Sequence, residues 1–134
     1  MRNIVLDTNC LLVCIATKSK FHAVWNAFLN ESFRLCVSNE ILTEYEEILA
    51  KKVSPVFADM IIQVILNSEN VAFIHPRFRF NLISADPDDN KFVDCAIVAN
   101  ADYIVSQDKH FEILKDISFP KVNVIRIEVF AEMI

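Results

Sequence analysis

The first apolar run, Ile4–Leu6, is short and unbroken, as in a strand covered on both faces. Similar runs lie at Phe33–Val37, Val71–Ile74, Tyr103–Ser106 and Val122–Ile127. Between them the apolar positions change to helical spacing. Leu11–Ala16 and Phe21–Leu29 read as two short helices. Ser38 or Asn39 can cap a third, which runs to about Lys52. Ser54-Pro55 opens a fourth, with proline in its first turn and Val56, Met60, Ile61, Val64 and Ile65 on one stripe. Pro76 closes the third strand, and Arg77–Asp88 follows neither period. Pro87 and the aspartates around it mark a turn into a fifth helix, Asp89–Ala99. Helical turns are expected at Phe111–Leu114 and Val129–Met133.

Strands that alternate with helices imply parallel βαβ units with right-handed crossovers. The expected fold is α/β, a three-layer α/β/α sandwich around a Rossmann-like parallel sheet of about five strands. There is no linker, repeat or low-complexity tract, and 134 residues suit one domain spanning residues 1–134. No stretch reaches the ~18–20 apolar residues of a membrane span. No basic leader with a cleavage site opens the chain, so a soluble cytoplasmic protein is expected. In such sheets the ligand lies beyond the carboxyl ends of the strands, where strand order reverses. The residues that follow each strand therefore carry the functional question.

Composition narrows the answer. Glycine is absent, which excludes glycine-rich phosphate loops and dinucleotide fingerprints. A net charge of -5 argues against nucleic-acid binding through overall charge, though not against a basic rim. It also suits a carboxylate site that a divalent cation neutralises. Cys10, Cys14, Cys36 and Cys95 all sit in apolar segments and read as reduced, buried thiols. Cys10, Cys14 and His22 match no common zinc spacing. His75 and His110 stand isolated, without an obvious nucleophile partner.

Acids follow several of the strands. Asp7 comes after the first and Glu44 lies in the helix after the second. Asp86, Asp88 and Asp89 precede the fifth helix, Asp94 lies inside it, and Asp108 follows the fourth strand. Each has an ordinary explanation: Asp7 as a helix cap, Glu44 on a solvated helix face, the aspartates at a helix start favoured by the macrodipole. Their joint placement is harder to explain that way. Neighbouring first and fourth strands, about 4.8 Å apart, would set Asp7 against Asp108. Carboxylates that close repel unless a shared proton or a cation intervenes. Several converging carboxylates favour Mg²⁺ or Mn²⁺, which take oxygen ligands and water.

The segments "IVLDTNCLL", "SNEILTEYEEIL" and "DPDDNKFVDCAIVANADYIVSQDKHF" together resemble a PIN domain, above all the subgroup described as toxins of toxin–antitoxin pairs. The resemblance covers nearly the whole chain, in order. It implies a fold related to flap endonucleases and an Mg²⁺- or Mn²⁺-dependent endoribonuclease. By position it makes Asp7, Glu44, Asp89 and Asp108 the catalytic metal ligands, with Asp94, one turn beyond Asp89, a second choice for the third motif. Asn9 and Ser106 match the polar residues that support the site. Ser106 replaces a common threonine, and Lys109-His110 stand where a further acid can occur. Asn100 must take the turn before the fourth strand without help from glycine.

For an RNA substrate the basic rim is drawn from Lys18, Arg77, Arg79, Lys91 and Lys109, with Arg2 and Lys20 as further choices. Phe78 and Phe80 alternate with the two arginines, either to stack on bases or to fill the core. The resemblance also implies an antitoxin that inserts a basic side chain near the carboxylates, and homodimers. Two other readings compete. A haloacid-dehalogenase-like phosphatase uses an Asp after the first strand but wants a second acid two residues on, where Asn9 stands. A catalytically inactive PIN-fold binding module shares every element of the fold.

Overall fold

The computed structural model describes every residue, Met1–Ile134. In chain order its elements are β1 (Asn3–Leu6), α1 (Thr8–Ile15), α2 (His22–Leu29), β2 (Arg34–Val37), α3 (Asn39–Lys52), α4 (Pro55–Asn67) and β3 (Val71–Phe73). A 3₁₀ turn (Pro87–Asp89) then leads into α5 (Asn90–Ala99) and β4 (Tyr103–Val105). A longer 3₁₀ segment (Lys109–Asp116), β5 (Val124–Ile125) and α6 (Ile127–Met133) complete the chain.

All five strands are parallel, in the order β3-β2-β1-β4-β5. The order runs outward one way from β1 and then reverses at β4, so the switch point lies between these two strands. Leu6 is in register with Val105, which brings the ends of β1 and β4 level. The central strands explain the unbroken apolar runs. Ile4, Val5, Leu6, Leu35, Cys36, Val37, Ile104 and Val105 are all buried, because helices and neighbouring strands cover them. The edge strands β3 and β5 are only partly covered. α5 packs along β1, β2 and β4, while α1 to α4 pack among themselves. No helix is long and apolar enough to cross a membrane.

Local chemistry sets most boundaries. Ser38, rather than Asn39, caps α3 by accepting from the Ile41 amide. Ser54 does the same for α4 through Phe57, with Pro55 in the first turn. Asn100 ends α5 in the left-handed region at φ 51, as the glycine-free turn requires. Two expectations change. The helix after β1 starts at Thr8, not Leu11, because Asp7 caps it. The last apolar run is not all strand: only Val124 and Ile125 pair, and Ile127 already begins α6, its amide held by the Gln107 side chain.

Candidate functional site

At the switch point, Asp7 continues β1 by one hydrogen bond, its amide donating to the Val105 carbonyl at 3.1 Å. Its carboxylate is buried, and each oxygen accepts one hydrogen bond. Oδ1 accepts from the Asn9 amide at 3.0 Å, which caps α1. Oδ2 accepts from the Ser106 hydroxyl at 2.6 Å. The same hydroxyl oxygen accepts from the Asp108 amide at 3.0 Å. One buried serine thus ties the acid after β1 to the acid after β4. The helix cap uses one oxygen of Asp7, and the link to the end of β4 uses the other. Burial pushes the Asp7 carboxyl above the ordinary range; the Ser106 and Asn9 bonds oppose this, and the charges of Asp108 and Glu44 add to it.

Asp89, in the 3₁₀ turn before α5, faces the same space. Burial raises its carboxyl to about 6 against the bond from His110, and the charges of Asp108, Asp86 and Asp7 contribute. Nδ1 of His110 lies 3.2 Å from Asp89, 3.4 Å from Asp108 and 3.9 Å from Asp86. The bond to Asp89 and the surrounding acids hold this imidazole above its ordinary value.

Glu44 approaches from α3. One of its oxygens accepts from the Thr8 hydroxyl and the other from the Lys91 ammonium at 2.7 Å. Lys91 also meets Asp88 at 3.1 Å, and its side chain is only 11% exposed. Named above as a rim residue for RNA, Lys91 here neutralises the acids of its own chain. Asn39, Glu40, Thr43, Glu44, Glu47, Asp88 and Lys91 line an open cleft of about 370 Å³ without a single apolar side chain. Such a polar, mainly acidic wall suits water and cations rather than an apolar ligand.

Asp94 lies apart from this group. Its buried carboxylate accepts from the Phe80 amide at 3.1 Å, pinning the Arg77–Asp88 segment to α5. Burial raises its pKa, with Phe80 and Arg79 opposing. Arg79 forms an exposed ion pair with Glu40 at 3.5 Å. Arg77 and Arg79 share a smaller cleft with Ser38, Lys91 and Asp94. Phe78 is 73% exposed and so is no core residue, whereas Phe80 is half-buried. Lys18 and Lys109 are exposed.

The PIN domain family model matches residues 3–110 of the sequence. The chain belongs to the PIN domain family. No curated protein matches it. Among solved structures it is similar to the DNA-bound VapBC of Salmonella typhimurium, with a TM-score of 0.65 and 20% identity over 95% of this chain and 99% of that one. It is also similar to VapC20 of Mycobacterium tuberculosis, a Sarcin-Ricin loop cleaving toxin, with a TM-score of 0.60 and 15% identity over 81% of this chain and 92% of that one. A third, the PIN domain endonuclease Utp24, aligns with a TM-score of 0.55 and 13% identity over 92% of this chain and 84% of that one.

In this PIN domain the acids Asp7, Glu44, Asp89 and Asp108 come from four segments and act on one another electrostatically. Asn9 contributes its backbone amide. Three participants escaped the sequence: Thr8 on Glu44, His110 among the aspartates, and Tyr45, whose hydroxyl donates to the Leu6 carbonyl at 2.6 Å. A signal existed for His110, two residues after Asp108 in "SQDKHF". The donor set fits a hard divalent cation, because it is mainly carboxylate oxygen and carries excess negative charge that burial penalises.

Proposed function

We propose that this PIN domain, residues 1–134 acting as one unit, is a metal-dependent endoribonuclease and the toxin of a toxin–antitoxin pair in the cytoplasm. The observation that carries the reading is the Ser106 hydroxyl, which joins Asp7 to Asp108 at the switch point while Asp89 adds like charge beside them. Asp7, Asp89 and Asp108 would hold Mg²⁺ or Mn²⁺, with Glu44 completing the acidic set. When bound, such a cation lowers the pKa of a water molecule and neutralises charge building on a phosphodiester.

The chain's own residues do the rest. Ser106 and the Asn9 amide fix the orientation of Asp7, so this carboxylate is held in place before binding. Lys91 balances Glu44 and Asp88 at the cleft. Arg77, Arg79, Lys18 and Lys109 are the exposed cations offered to an RNA backbone, and exposed Phe78 offers a face for a base. Asp94 holds the Arg77–Asp88 segment in place and serves the site from outside it. The relatives support the toxin assignment: the similar structures include a VapBC complex and a toxin described as cleaving the Sarcin-Ricin loop. An antitoxin would then be the natural partner, and a second copy of the chain another.

Membership of the PIN domain family removes the ground for the phosphatase reading, which Asn9 already disfavoured. The test is to incubate the protein with single-stranded RNA in Mn²⁺ or Mg²⁺, beside Asp7→Asn and a chelator control. Cleavage is expected only for the unmodified chain with metal. Cleavage in chelator, or equal cleavage by Asp7→Asn, would overturn the mechanism. Metal-independent RNA binding without cleavage would favour the non-catalytic module.

A further inference from the structure

Resting on the reading just given, we infer that His110 is itself a ligand of the bound cation and makes the site prefer Mn²⁺ to Mg²⁺. The geometry is specific. Ligand atoms of Asp86, Asp89 and His110 all lie within 4.8 Å of one another, close enough to share one ion. Nδ1 of His110 also stands 3.4 Å from Asp108, so the ring meets two of the acids assigned to the metal.

The position of the ring is set by the fold. The His110 amide donates to Asp108 at 2.9 Å, which starts the 3₁₀ segment Lys109–Asp116. The next residue, Phe111, is fully buried and meets Phe92 of α5 edge to face. A rigid anchor therefore follows the imidazole directly, and a bonded acid precedes it. The ring remains 40% exposed, which leaves the opposite side open to water and substrate.

The chemistry then decides the ion. Mg²⁺ demands oxygen ligands in a near-ideal octahedron and sheds water reluctantly. An imidazole nitrogen suits transition metals and is a poor match for Mg²⁺. Mn²⁺ accepts both donors. Carboxylates alone would serve either ion; a nitrogen held among them favours the transition metal. The rival account keeps His110 as a positive counter-ion that pairs with the acids and leaves when metal enters.

Pulsed electron paramagnetic resonance on the full chain loaded with Mn²⁺, in mildly alkaline buffer, separates the two. A directly bound imidazole gives nitrogen hyperfine coupling, which His110→Gln must abolish and His75→Gln must leave in place. Titration should show Mn²⁺ binding weakened about tenfold or more in His110→Gln, with Mg²⁺ binding unchanged. Mn²⁺ bound without nitrogen coupling overturns the inference and leaves the nuclease reading standing, and this readout needs no variant to fold. Absence of any Mn²⁺ binding by the unmodified chain removes both.

Discussion

The Asp89 carboxyl is pushed to about 6 because burial strips it of water and Asp108, Asp86 and Asp7 surround it with like charge, which the His110 bond relieves only in part. Its folded pKa therefore lies above the unfolded value of 3.8, and between the two the folded state binds more protons. The contribution to stability is present below the unfolded value and is lost as pH rises through about 6. Asp89→Asn removes this liability. In chelator its Tm should exceed that of the unmodified protein at about pH 7 and approach it below about pH 3, where the acid is mostly protonated in both states. Equal Tm values at the higher pH would mean that burial does not strain Asp89. The same substitution should remove most metal binding. At this scale a residue type was legible in the sequence and its partners were not. Lys91 read as a surface cation until its two carboxylates, one of them on another helix, came into view.

At the scale of elements, the site depends on how the end of β1 is fixed. The Tyr45 hydroxyl, wholly buried on α3, donates to the Leu6 carbonyl at 2.6 Å. This bond couples the helix that carries Glu44 to the strand that carries Asp7. Tyr45→Phe leaves the carbonyl without that donor in a dry environment, at a cost of about 1–3 kcal/mol. Urea denaturation should show that loss, and RNA cleavage should fall with it, because Asp7 and Glu44 lose a common reference. Unchanged stability would show that the carbonyl finds another donor. Helix starts were largely readable here, since serine caps and the Pro55 position act within one turn. β5 was not: an apolar run bears no mark of where strand gives way to helix, and the Gln107 side chain that holds the Ile127 amide comes from 20 residues earlier.

For the whole molecule, converging the acids of four segments costs stability, which the proposed cation would return. A ligand that binds only the folded state stabilises it by mass action, by about 2.7 kcal/mol at a hundred times its Kd. Mn²⁺ at saturating concentration should therefore raise Tm in the unmodified protein and leave Asp7→Asn unmoved. A Tm rise equal in both proteins would indicate an ion bound elsewhere. Chelator should return the unmodified protein to its metal-free Tm.

The sequence by itself determined the alternation of strands and helices, the absence of a glycine phosphate loop and the identity of the acids, because periodicity, capping and composition are local properties. It also carried the PIN resemblance, since the motifs keep their order along the chain. Only the tertiary structure decided that β1 and β4 are neighbours, that Ser106 bridges Asp7 and Asp108, and that Asp94 points to the Phe80 amide instead of the acidic group. Those contacts join residues up to 99 positions apart. Strand order and side-chain reach set them, and neither leaves a local trace in the chain.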